Sequence, residues 1–218
     1  MLSVVIPALD AAATLPGCLA ALGEVPDLIL VDGGSRDATR EIARAAGARV
    51  VDSPRGRGVQ LAAGADAAAG EWLLFLHADT RLSYRWRAAA KAHVAGHKGK
   101  AGCFRFRLDD PAWQARMVER GVRLRVRLLA LPYGDQGLLI SRALYEEVGG
   151  YRPLPLMEDV DLVRRIGRRR LAVLPAEAVT SAARWRRDGW ARRSARNLAC
   201  LMLHRMGMSE EKVRRLYG

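Results

Sequence analysis

Short, nearly unbroken apolar runs alternate with alanine-rich segments through the first eighty or so residues, and few architectures accept that pattern. Leu2–Pro7, Leu28–Val31, Ala48–Val51 and Trp72–Leu76 read as strands. Ala11–Leu22, the stretch capped by Asp37 and running to Ala46, and Arg57–Ala69 read as helices, with a further helix from about Tyr84. Strands that are apolar on both faces belong to a parallel sheet covered by helices on both sides. The predicted class is therefore α/β, with a mostly parallel central sheet flanked by helices in the Rossmann-like, doubly wound manner of a nucleotide-binding half.

The second half has a different rhythm. Gly102–Leu108, Gln136–Ile140 and Leu171–Leu174 are expected strands. Pro111–Leu131 is expected to be a long helix, followed by shorter ones at Arg142–Val148 and Glu158–Arg169, a basic helix near Trp190–Met206 and a last one from Ser209. No internal repeat or long linker interrupts the chain, so 1–218 is read as one domain, with a nucleotide-binding half at 1–100 and an acceptor half with basic C-terminal helices at 101–218.

Charge follows the same division. Residues 1–100 hold 12 Lys and Arg against 10 Asp and Glu, whereas residues 101–218 hold 24 against 13. A basic second half suits an anionic partner, such as a membrane surface, a phosphorylated acceptor or nucleic acid. The plain alternative is an arginine-rich solvated surface. Cys18, Cys103 and Cys200 are far apart and match no zinc spacing, as expected of reduced cytosolic thiols. Met1–Pro7 has no basic leader, so no signal peptide is expected, and no uncharged stretch approaches the roughly 18 residues of a membrane span.

In a parallel sheet, ligands gather beyond the C-terminal ends of the strands. The loops there carry Asp10, Asp32 and Asp79. Asp32 precedes Gly33-Gly34, where backbone can approach a flat ring closely, and Arg55-Gly56-Arg57-Gly58 sets two guanidinium groups at a helix start, suited to a diphosphate or a base edge. His77-Ala78-Asp79-Thr80 puts a hard oxygen donor just past a buried strand, where a divalent cation can hold phosphate oxygens. Each element alone has a bland reading as a turn, a cap or a surface charge.

Their order is more specific. Ser3–Ala8, Leu30–Thr39, Arg55–Gly70 and Leu74–Thr80, followed by Tyr133–Gly137, Glu146–Tyr151 and Met157–Leu162, resemble glycosyltransferase family 2, the inverting enzymes with a GT-A fold. The likeness is nearest to a small bacterial subgroup encoded near radical-SAM proteins. It implies that Pro7, Ala8, Asp10, Asp32, Gly34, Arg55, Arg57, His77 and Asp79 bind the nucleotide. It further implies that Asp79 and His77 hold Mn²⁺ or Mg²⁺, that Asp159 is the general base beside Glu158, and that Asp135, Gln136, Arg184 and Trp185 meet the sugars.

Three departures stand out. Asp32-Gly33 replaces a paired Asp, and His77 replaces the first acid of the family's DXD element. Ser181–Trp185 keeps only Arg184 and Trp185 of the Gln-x-x-Arg-Trp element of processive members, so non-processive transfer is expected.

The resemblance thus implies inverting, metal-dependent transfer from a nucleoside-diphosphate sugar, by default UDP-linked, to the hydroxyl of an unknown acceptor, lipid-linked or phosphorylated. A cytoplasmic protein, peripheral at the inner membrane face, fits this reading. Arg116, Arg120, Arg123 and Arg127 fall on one stripe of the long helix, with Val118, Val122, Val126 and Leu129 on an apolar side, suiting contact with anionic lipid or cover for a lipid-phosphate acceptor. Arg192, Arg193 and Arg196 pose the same choice, and Trp185 and Trp190 suit either a sugar or the core. A non-catalytic nucleotide-sugar binder is one rival. A basic nucleic-acid module is another, but 6% aromatic residues without interleaved arginines make nucleic acid an unexpected partner.

Overall fold

A computed structural model describes residues 1–97, 99–154 and 156–205. The first half runs β1 (Leu2–Ala8), α1 (Leu15–Leu22), β2 (Asp27–Asp32), α2 (Thr39–Ala45), β3 (Arg49–Asp52), α3 (Arg57–Ala67), β4 (Trp72–Phe75), β5 (Thr80–Leu82) and α4 (Trp86–Gly96). The second runs β6 (Ala101–Leu108), α5 (Trp113–Leu129), β7 (Leu138–Ser141), α6 (Arg142–Glu147), α7 (Glu158–Ile166), β8 (Leu171–Thr180), α8 (Ala183–Asp188) and α9 (Trp190–Arg205).

The eight described strands join one sheet in the order β3-β2-β1-β4-β7-β6-β8-β5. The β3-β2-β1-β4 block is parallel, as the apolar runs require. β7 then pairs antiparallel with β4, and Trp72–Phe75 lies against Leu138–Ser141. β6 is antiparallel to β7 and parallel to β8, while β5 is antiparallel to β8. Buried side chains fill both faces. Val4, Ile6, Leu30, Leu74 and Trp86 lie on one, and Val5, Ile29, Leu61, Leu73 and Leu162 on the other. α3 lies close on the sheet because Gly64 has no side chain; a Cβ there would strike Val5 and Val31.

Several element boundaries differ from expectation. The first helix starts at Leu15, because Ala11–Thr14 form a turn behind Asp10. Asp37 lies two residues before α2, with Ala38 at the cap position, but its carboxylate accepts the Thr39 N–H at 3.0 Å. Gln136 belongs to a short 3-10 turn, Gly134–Gln136, so β7 begins at Leu138. α7 stops at Ile166, where Gly167 takes φ +81. β8 continues through Pro175 to Thr180 because it pairs with both β6 and β5. β5 and α8 were not anticipated; each is too short to carry a periodic signal. The helix expected from Ser209, and the end of the one expected to reach Met206, lie outside the described residues. No described helix is long and apolar enough to cross a membrane.

The expected arginine stripe on α5 divides. Arg120, Arg123 and Arg127 are exposed, whereas Arg116 pairs with Glu119 at 2.8 Å and donates to the Leu108 and Asp110 carbonyls. Of the basic run on α9, Arg193 and Arg196 turn inward onto Asp188, at 2.8 and 2.5 Å.

Candidate active site

The ends of β1, β2 and β4 meet at one sheet edge, with Ala8 opposite Asp32 in the register. Local hydrogen bonds fix these loops. Asp10 takes φ 49, and its Oδ1 accepts the Arg36 N–H at 2.8 Å, tying the β1 loop to the β2 loop. Gln60, buried on α3, donates to the carbonyls of both Ala8 and Val31 at 2.8 Å. This link was not foreseen; its only signal in the sequence was a position one helical turn after Arg57.

A cavity of about 500 Å³ opens above this edge, lined by Pro7, Ala8, Asp10, Arg57, His77, Asp79 and Arg184 among others. A smaller recess of about 90 Å³ continues from it. Arg57, His77, Asp79, Ser181 and Arg184 line both, and the recess adds Gly134, Asp135, Asp159, Thr180 and Trp185. Chain segments more than a hundred residues apart thus bring four carboxylates, Asp10, Asp79, Asp135 and Asp159, to one crevice with the His77 imidazole and the Arg57 and Arg184 guanidinium groups. The arginines suit a diphosphate, which they can meet with paired N–H donors.

The far wall is built on the start of α7. Asp159 Oδ2 accepts the Gly134 N–H at 2.6 Å, and Oδ1 accepts the Val160 N–H at 2.7 Å. These bonds fix the orientation of the carboxylate at the recess. Next to it, Glu158 is buried with Arg57 Nε 2.7 Å from its Oε1. Burial pushes the Glu158 carboxyl up to about 7, with Arg57 opposing the shift. Burial also raises Asp135 to about 6 and, helped by Arg57, lowers His77 to about 4. The imidazole is therefore neutral at pH 7.

Gly134 sits between these groups. A Cβ at that position would lie 2.5 Å from His77 Nε2 and 3.4 Å from Asp159 Oδ2. Only glycine lets the Tyr133–Gln136 loop touch the imidazole and the carboxylate together.

The described residues contain no cluster of three His, Cys, Asp or Glu side chains able to hold a metal by themselves. A Mg²⁺-like cation asks for less, since it keeps several waters and leans on one or two carboxylates plus substrate phosphates. Asp79 in a crevice with room for a diphosphate meets that requirement. The Nε2 edge of His77 lies beside Gly134, where an added Cβ would come within 2.5 Å of it.

Other expected site residues lie differently. The Asp32 carboxylate is wholly buried in its own turn, where it accepts from Gly34 N at 3.2 Å and Ser35 Oγ at 2.5 Å, with Arg40 Nε 3.5 Å away. Gly34, at φ +93, and Arg55 do not line the crevice. Gln136 is behind it, donating to the Phe104 carbonyl at 2.9 Å. Trp185 borders the recess but is largely buried against Phe106, while Trp190 lies away from it along a neighbouring groove. Cys18 and Cys103 are buried thiols that desolvation pushes up to about 12, so neither suits a nucleophile.

Comparison with known proteins agrees with this geometry. A PGL/p-HBAD biosynthesis glycosyltransferase of Mycobacterium tuberculosis is 39% identical over a match covering 46% of this chain and 42% of that relative. The chain thus spans less than half the length of the curated relatives it matches. Staphylococcus aureus TarS (residues 1–349) superposes with a TM-score of 0.65 at 15% identity, covering 99% of this chain and 69% of that one. Glucosyl-3-phosphoglycerate synthase from M. tuberculosis, solved with Mn²⁺, UDP-glucose and phosphoglyceric acid, gives 0.56 at 24% identity, covering 79% and 68%. The fold is that of GT-A glycosyltransferases, as the order of motifs implied. With residues 3–138 matching the family described as glycosyl transferase family 2, the chain belongs to that family.

Proposed function

We propose that the crevice transfers a sugar from a nucleoside-diphosphate sugar, UDP-linked by preference, to an acceptor hydroxyl with inversion at the anomeric carbon. The observation that carries this reading is the meeting of Asp79, Arg57 and Arg184 with Asp159 around one recess. The β1 loop from Pro7 to Asp10 forms the nucleotide side, and Arg57 and Arg184 face the diphosphate. The glucosyl-3-phosphoglycerate synthase complex with Mn²⁺ and UDP-glucose supports both the donor class and the cation.

Asp79 would hold Mn²⁺ or Mg²⁺, which when bound supplies positive charge to the diphosphate as the bond to the sugar breaks. The arginines add to this from the protein itself, in a site where their charge is already in place. On the acceptor side, Asp159 takes the hydroxyl proton while that oxygen forms the new bond to C1, and the nucleoside diphosphate leaves with the bonding electron pair. Attack opposite to the leaving group inverts the centre. Glu158 positions Arg57. Transfer is non-processive in this reading, because Ser181–Trp185 lacks the glutamine of the processive element.

The test is turnover of a panel of UDP-sugars with Mn²⁺, comparing the wild type with Asp159→Asn. The variant is expected to bind UDP unchanged but to lose about 10²- to 10⁴-fold in turnover. Equal rates in the two proteins would remove Asp159 from the chemistry. A wild type that binds UDP yet turns over no donor would favour the non-catalytic binder.

A further inference from the structure

Next to the crevice, α5 and α9 enclose a groove of about 710 Å³, within the roughly 300–1,000 Å³ typical of small-molecule sites. Its walls are unusually apolar for a surface. Trp113, Met117, Leu124 and Leu128 of α5 are 56–67% exposed, and Leu198 of α9 faces them at 53%. These α5 residues recur at helical spacing on one stripe, distinct from the valine side read in the sequence. Phe106, Val118 and Trp185 also line it.

The groove is continuous with the crevice. Tyr133, Asp135, Trp185 and Asn197 line both the groove and the recess that holds Asp159. At this neck Asp135 Oδ1, Trp185 Nε1 and Asn197 Oδ1 are buried without hydrogen-bond partners among the described residues, as is Arg125 Nη2 on the groove side. Buried polar atoms without partners are uncommon, and here two acceptors and two donors gather at one passage. A small polar group passing through would satisfy them.

We propose that the α5/α9 groove is the acceptor subsite, holding the apolar body of a single amphipathic alcohol whose polar head passes the Asp135–Asn197 neck and brings its hydroxyl to Asp159. This assignment rests on reading the crevice as a sugar-transfer site and names the acceptor class for it. A concave groove between two helices, narrowing to a recess of about 90 Å³, suits one slender molecule better than a bilayer face or a folded partner.

The test uses the full chain and calorimetric titration with octanol, decanol and dodecanol, with UDP titrated separately. One equivalent of alcohol should bind, and each added methylene should tighten binding about fourfold. Gly121 lines the groove, and a Cβ there would meet nothing within 4 Å. Gly121→Trp should therefore fill the groove without disturbing the fold. It should weaken dodecanol by about tenfold or more and leave UDP binding unchanged.

Affinity that ignores chain length, or ignores Gly121→Trp, would overturn the proposal. So would alcohol binding that appears only after removal of residues 206–218, which would make the occupant the chain's own end. Binding to phosphatidylglycerol vesicles with no stoichiometric alcohol binding would assign the face to a bilayer instead. Alcohol binding that persists while UDP fails to bind would overturn the transfer reading and, with it, the acceptor role of the groove.

Discussion

Arg57 Nε lies 2.7 Å from Oε1 of Glu158, a buried carboxylate at the first position of α7. The contact joins the start of α3 to the start of α7. Burial of the Glu158 carboxyl also sets a pH dependence, which Arg57 opposes. The folded chain raises Glu158 from 4.5 to about 7, so it holds this proton more tightly than the unfolded chain does. The stability from this group is complete below about 4.5 and is lost as pH rises to about 7. Denaturation at a series of pH values should show stability falling through that window. Glu158→Gln should flatten the slope, by no more than about 1.4 kcal/mol per pH unit for one proton. Asp135 slopes the same way up to about 6, so the difference between wild type and variant is the quantity to read.

Gly134→Ala tests the loop that touches His77 and Asp159. The added methyl would sit 2.5 Å from the imidazole, and either the loop or the ring must shift. A loss of about 1–3 kcal/mol in urea denaturation is expected, together with a fall in turnover of any accepted donor. A variant as stable as wild type would show that the loop yields freely.

Asp79→Asn separates cation from nucleotide. Wild type should gain stability when UDP and Mn²⁺ are added together, by about 2.7 kcal/mol at a hundredfold excess over Kd. The variant should keep the UDP-only shift and lose the part that depends on Mn²⁺. Thermal denaturation with UDP, with and without the cation, reads both.

Gln60→Ala removes the side chain that ties the β1 and β2 loops through the Ala8 and Val31 carbonyls. Both donations are lost, although the Ala8 carbonyl keeps the Gly33 N–H at 2.9 Å, and the change should cost about 1–3 kcal/mol. UDP binding should weaken as well, because Pro7 and Ala8 line the side of the crevice proposed to hold the nucleotide. Calorimetry with UDP and urea denaturation check the two effects.

β1, β2 and β4 were readable because both faces of each are covered, which leaves an unbroken apolar run. β5 spans three residues and exists only through its pairing with β8, so nothing local announces it. At the site, Asp79, Arg57 and Asp159 stood out by their positions in ordered motifs, and all three line the crevice. Asp32 stood out equally, yet its carboxylate is taken up by the N–H groups of its own turn. Sequence shows that a carboxylate is present but not which way it faces. The apolar stripe of α5 was misplaced for a related reason: the periodicity marks two apolar sides, and only tertiary packing decides which one stays uncovered.

The antiparallel ladder between β4 and β7 carries a mechanical consequence. Asp79 follows one of these strands, and the Gly134–Gln136 turn leads into the other. Prising the Asp79 side of the crevice from the Gly134 side would mean tearing main-chain bonds in the middle of the sheet. In the proposed transfer, any opening of the crevice would therefore fall to loops and side chains around a stiff seam, not to a clamshell.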